Sequence, residues 1–169
     1  MMTIREIAKD ELGIIAKLAH DIWPKVYGEM ISAEQIKYML DWMYSLNSLQ
    51  SQMQDGHRFF IAYDDSHNPI GFCSFGEYEH DKSFTPCYKL HKLYVQAHLH
   101  KKGIGKSLLQ HVISILKNSI PCSLILNVNR NNSARYFYEY LGFKIIDEVD
   151  NDIGNGYFMN DYVMELVIQ

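Results

Sequence analysis

The sequence predicts a mixed α/β fold: a mostly antiparallel sheet of six or seven strands with a parallel β-α-β crossover at its centre. Two observations carry this. Apolar residues switch between a two-residue and a 3.6-residue period along the chain, in the order strand, two or three helices, hairpin, strand–helix–strand, helix and a last strand pair. Within that order, residues 88–128 join two short apolar strands through one helix, and such a crossover is parallel and right-handed. No repeat, low-complexity stretch or linker interrupts the chain, so residues 1–169 are expected to form one domain.

The elements follow in order. Residues 3–7 are a short strand. Leu12, Ile15, Ala19, Ile22 and Trp23 recur at helical spacing, and Pro24 is expected to stop that helix. Ser32 followed by Gln35 opens a second helix with Ile36, Met39, Leu40 and Met43 on one stripe. A further short helix ends near Gly56. Residues 57–63 and 70–75 are hairpin partners around the turn formers Asp64, Asp65, Asn68 and Pro69. Residues 88–95 form a strand, 103–116 a helix with Ile104, Leu108, Val112, Ile115 and Leu116 inward, and 124–128 a buried strand. Residues 133–141 are a short helix closed by Gly142, and 143–149 and 163–168 are the last strands.

Composition narrows the function. A formal net charge of −4 argues against a nucleic-acid binder, which needs a basic face. The three cysteines, Cys73, Cys87 and Cys122, are widely spaced and form no CxxC pair, so neither a metal site nor a disulfide framework is expected. The N-terminus lacks the basic-then-apolar pattern of a signal peptide, and no run approaches bilayer length. The expectation is a cytoplasmic protein with neither a nucleic-acid nor a membrane partner.

The segment with the most chemistry runs from Leu90 to Ser107. A strand enters a basic, glycine-bearing turn that opens a helix. The first N–H groups of a helix are unpaired and carry partial positive charge, and glycines let a phosphate approach them. Lys101, Lys102 and Lys106 add charge, so the segment reads as a pyrophosphate site. A P-loop would need glycine where His100 stands, and a dinucleotide fingerprint would need glycine where Leu108 stands. A plain helix start using glycine for a turn stays open on this segment alone.

A second motif follows: Asn131, Ala134, Phe137, Tyr138, Gly142 and Phe143, spaced as N-x-x-A-x-x-F-Y-x-x-x-G-F. With Gly103 and Gly105 in the pattern [RQ]-x-x-G-x-[GA], the pair resembles the GNAT superfamily of N-acetyltransferases; the departure is His100, where the family has Arg or Gln. The resemblance implies the GNAT fold and acetyl-CoA as acetyl donor. It implies pantetheine along the backbone of Leu93, Tyr94 and Val95, and pyrophosphate on His100, Lys101, Lys102, Gly103, Ile104, Gly105 and Lys106. Asn131 would bond the cofactor near the pantetheine. It also implies direct attack by an amine in a ternary complex, with the Val95 N–H facing the thioester oxygen and Tyr138 protonating the departing sulfur. On pattern alone, Tyr138 equally fits an aromatic packing cluster with Tyr136, Phe137 and Tyr140.

His91 and Glu77 are candidate general bases acting through water. For the acceptor, Trp23, Tyr27, Glu29 and Tyr38 combine aromatic rings with a carboxylate, which suits an ammonium group. Tyr38 and Trp42, one turn apart, could instead meet the sheet or a second subunit of a homodimer. The run 88–95 and the tail 152–165 resemble a bacterial branch with polyamine and diamine acetyltransferases, implying a small amine substrate. A peptide amine and a non-catalytic CoA sensor are the alternatives.

Overall fold

A computed structural model describes residues 1–79 and 85–169. The strands are β1 (Thr3–Glu6), β2 (Arg58–Tyr63), β3 (Pro69–Glu77), β4 (Cys87–Val95), β5 (Cys122–Asn129), β6 (Lys144–Gly154) and β7 (Tyr157–Ile168). The helices are α1 (Leu12–Tyr27), α2 (Ala33–Tyr44), α3 (Leu46–Gln54), α4 (Ile104–Leu116) and α5 (Ala134–Tyr140). The sheet has seven strands in the order β1-β2-β3-β4-β5-β7-β6, mostly antiparallel, with β4 and β5 parallel as the crossover requires. The chain divides into two compact units, Met1–Gly76 with Lys92–Ile115, and Glu77–His91 with Leu116–Gln169.

In the first unit, β2 and β3 are buried on both faces, which is why they read as unbroken apolar runs. Phe72 meets Tyr44 of α2 from one side, ring centroids 6.1 Å apart. Phe60 meets His111 of α4 from the other, at 5.0 Å. Gly71 is required here: a Cβ would stand 2.9 Å from the Tyr94 carbonyl oxygen. Helix α1 buries Leu12, Ile15, Leu18, Ala19, Ile22 and Trp23. Ser32 Oγ accepts from the Gln35 N–H at 3.1 Å and starts α2. Ser45 accepts from the Ser48 N–H at 3.2 Å and starts α3.

Two expectations are corrected in this unit. Pro24 does not stop α1, which continues to Tyr27. A proline removes one N–H, and packing outweighs that loss: the Trp23 and Tyr27 rings lie 4.6 Å apart across the last turn. In α2 the inward residue near the end is Tyr44, fully buried, while Met43 is only half-buried.

In the second unit, β4 and β5 pair from Cys87–Ser123 to Leu90–Leu126, and β5 and β7 pair from Cys122–Ile168 to Asn129–Asp161. Leu124, Leu126, Val128 and Met164 are buried on one face as the apolar core, with Leu166 half-buried beside Leu124. The last strands are longer than expected, because β6 and β7 form a hairpin closed at Asn155 and Gly156, with φ of 55° and 77°. Gly142, at φ 96°, ends α5 and turns the chain into β6.

Candidate active site

The loop from β4 to α4 is braced at its start. The Gln96 N–H donates to the Ile70 carbonyl at 3.0 Å, and its side-chain amide donates to the Pro69 carbonyl at 3.2 Å. His100 Nε2 donates to the Val95 carbonyl at 2.9 Å, so this imidazole holds the loop to the strand end. Lys101 and Gly103 then take left-handed backbone conformations, φ 65° and 82°. Among the described residues, nothing beyond the adjoining chain lies within 4 Å of where a Gly103 Cβ would stand, so the backbone is open there.

Helix α4 begins at the next residue, and the Ser107 N–H bonds back to the Gly103 carbonyl at 3.0 Å. The N–H groups of Ile104, Gly105 and Lys106 therefore belong to the first turn, where no intrahelical acceptor exists. Lys101 and Lys102 are exposed and Lys106 is half-buried. Open backbone, first-turn donors and three lysines fit a diphosphate.

The same unit gathers Trp23, Tyr27 and Tyr94. The Tyr27 and Tyr94 hydroxyls are 3.0 Å apart. Trp23 lies 4.6 Å from Tyr27 and 5.6 Å from both Tyr94 and Tyr44. Trp23 is only 2% exposed, so its ring is part of the core beneath the hydroxyl pair. Leu93 and Val95 are half-buried on β4, and Glu29 is exposed between α1 and α2. Tyr38 packs against the exposed Trp42 at 6.5 Å.

Lys92 was not anticipated. Its ammonium is buried, donates to Gln52 Oε1 at 2.6 Å, and lies 5.3 Å and 5.8 Å from the Tyr44 and Phe59 ring centroids. Gln52 is fixed in turn, its amide donating to the Met43 carbonyl at 2.8 Å and to Ser48 Oγ at 3.0 Å. Burial lowers the Lys92 pKa to about 8.

In the second unit, Tyr138 lies inside α5, 9% exposed, edge-on to Phe137 at 5.2 Å and to Phe143 at 5.7 Å. The Asn131 N–H donates to Asn129 Oδ1 at 2.9 Å, shaping the turn into α5. His91 is half-buried on β4, and Glu77 is exposed at the end of β3. Asp161 and Lys89 were also missed. Burial raises the Asp161 carboxyl above its ordinary value, opposed by the Asn127 hydrogen bond and by the charges of Lys89 and Arg130. Burial lowers Lys89, opposed by Asp161. Among the described residues, no group of His, Cys, Asp and Glu is arranged to hold a metal ion.

A family model described as an acetyltransferase (GNAT) domain matches residues 28–166. The chain is similar to the spermidine N(1)-acetyltransferase of Thermoplasma acidophilum, 29% identical over 155 residues that cover 88% of this chain and 92% of that one. An uncharacterized N-acetyltransferase of Bacillus subtilis, YuaI, is 26% identical over 82% of this chain and 78% of its own. The crystal structure of the PaiA N-acetyltransferase from Thermoplasma acidophilum, in complex with coenzyme A, superposes with a TM-score of 0.80, 27% identity and 99% coverage of each chain. The fold is that of an acyl-transferring enzyme, and the chain belongs to the GNAT N-acetyltransferases, whose acetyl donor is acetyl-CoA.

Proposed function

We propose that this enzyme acetylates a primary amine of a small polyamine or diamine, by direct attack in a ternary complex. The observation that carries the acceptor class is the similarity to a spermidine acetyltransferase over most of both chains. The half-buried Tyr27 and Tyr94, whose hydroxyls meet over the buried Trp23, support it, since aromatic faces and hydroxyls suit an alkylammonium.

Acetyl-CoA, when bound, supplies the activated thioester. In our reading the first-turn N–H groups of α4, with Lys101, Lys102 and Lys106, hold its diphosphate. The backbone of Leu93, Tyr94 and Val95 lies along its pantetheine, as an added strand would. Asn131 bonds it near the pantetheine. The Val95 N–H polarises the thioester carbonyl, and the Tyr138 hydroxyl protonates the leaving sulfur. His91 and Glu77 are candidate carriers of the amine's proton through water. The whole chain acts as one catalytic domain in this reading. Exposed Ile145, Ile146 and Phe158 on the β6–β7 hairpin support a homodimer contact. No helix among the described residues is long and apolar enough to cross a membrane, and free Cys73, Cys87 and Cys122 suit a reducing, cytoplasmic setting.

The test is release of CoA thiol with a panel of amines, polyamines and peptides. Spermidine is expected to exceed a peptide N-terminus in kcat/KM. A peptide winning by about tenfold, or about 1.4 kcal/mol, would overturn the acceptor class.

A further inference from the structure

The ladder of β4, β5 and β7 has an apolar face and a polar one. On the polar face, pairing aligns Lys89 with Ile125, Ile125 with Glu165, Asn127 with Val163 and Asn129 with Asp161; the two-residue period adds His91. A polar sheet face is expected in water, yet this one is largely covered. Asp161 is 2% exposed, and Lys89, His91, Asn127 and Glu165 are half-buried.

Among the described residues, partners close to the Asp161 carboxylate are few for a buried charge. Asn127 Nδ2 donates to Oδ2 at 3.5 Å, a long bond. The Lys89 ammonium sits 5.2 Å from the Tyr78 ring centroid and attracts Asp161 electrostatically. From β6, Glu148 and Asp150 are tied to Arg130 by ion pairs, and Asp147 is exposed. On β7, Glu165 acts on Cys87 of β4. A buried carboxylate held this loosely is less stable than an apolar residue of similar size. Arrangements that sacrifice stability in this way cluster where a reaction uses them.

We propose that Asp161, oriented by Asn127, is the carboxylate that receives the acceptor's primary ammonium and takes its proton, a role that rests on the amine-acetyltransferase reading above. The alkylammonium gives one proton to the Asp161 carboxylate. The freed nitrogen lone pair forms the N–C bond to the acetyl carbon, and the C–S electron pair leaves with sulfur. The Tyr138 hydroxyl gives its proton to the sulfur to form CoA thiol, the second nitrogen proton restores the Tyr138 phenol, and the proton on Asp161 passes to water as the amide departs. Lys89 keeps the carboxylate ionised between turnovers, and the raised proton affinity of Asp161 brings it closer to the range in which a base is effective.

The test is Asp161→Asn, which keeps the shape and removes the charge. Spermidine kcat/KM is expected to fall by about 10²-fold or more, with the KM for acetyl-CoA unchanged. Thermal stability is expected to hold or rise, since a buried charge is removed. In wild type, kcat/KM is lost as pH falls through the Asp161 pKa. That acid limb is expected to vanish in Asp161→Asn and to return in part in Asp161→Glu. If Asp161→Asn retains wild-type kcat/KM and the same acid limb, the inference is overturned while wild-type turnover still upholds the acetyltransferase reading. If wild type transfers acetyl to no amine, both fall. Should Asp161→Asn not fold, Asn127→Leu decides: a displaced acid limb is expected, and an unmoved one overturns the proposal.

Discussion

Single residues in this chain carry roles that pattern alone leaves open, and Tyr138 is the sharpest case. Its ring is wedged edge-on between Phe137 and Phe143, which is the packing role. The proposed chemistry lies in the hydroxyl alone. Tyr138→Phe keeps the ring, so fold and KM for acetyl-CoA are expected to stay close to wild type. A positioned acid contributes about 10²–10⁴-fold, and single-turnover acetyl transfer is expected to slow by that much at neutral pH. A rapid-quench measurement of chemistry, rather than product release, checks it, because slow release can hide a lost acid. An unchanged rate would leave Tyr138 with packing only. Lys92 and Asp161 escaped the sequence reading for one reason. A charged residue in a strand is read as solvated, whether it stands on a polar face, as Asp161 does on β7, or shares a face with Leu90 and Tyr94, as Lys92 does on β4, and only the elements packed above decide whether that face is wet. Here Tyr44, Gln52 and Phe59 cover Lys92.

At the scale of elements, the β4–α4 turn was readable because its chemistry is local. Glycine at a left-handed position, lysines around it and a helix starting at once are all written in consecutive residues. Gly103→Glu puts a side chain at φ 82° into the open space above the first turn and adds a negative charge there. Wild type is expected to gain melting temperature with CoA, and the folded variant to lose that gain. Calorimetric melting with and without CoA measures it, and an equal gain in both would refute the loop assignment. The α5 segment was readable for the same reason, since Gly142 marks its end. The run past Pro24 was not, because the rings of Tyr44 and Tyr94 that pack against Trp23 in the last turns of α1 come from distant sequence. The β6–β7 hairpin did carry a local signal, Asn155-Gly156, which favours a tight two-residue turn. The polar run before it, rich in Asp and Asn, resembled a loop and hid an exposed edge strand.

Over the whole molecule, the buried ionisable groups set how stability responds to pH. Half-buried Glu11, held at about 2 by the Arg5 hydrogen bond, and exposed Glu6, lowered by Arg58, stabilise the fold above the usual carboxylate range and lose that contribution as pH falls through their folded values. Lys92 acts on the other side of neutrality. Its pKa is about 8 in the fold against 10.5 unperturbed, so between those values the native state binds fewer protons than the unfolded chain, and stability rises with pH. Below pH 8 the full burden of burying the ammonium is present, about 3 kcal/mol. Above pH 9 the raised thiols oppose it: Cys73, pushed to about 12 by burial, keeps its proton in the fold and favours the unfolded chain as pH climbs. The window belonging to Lys92 therefore lies near pH 8–9. Lys92→Met removes the charge and the Gln52 hydrogen bond, and the second loss does not vary with pH over that window. The variant is expected to lie above wild type in denaturant-measured stability at pH 7, and the gap is expected to narrow by about 1 kcal/mol between pH 8 and 9. Parallel pH profiles for the two proteins would mean that Lys92 stays charged in the fold, with the Gln52 carbonyl and the Tyr44 and Phe59 rings compensating its burial.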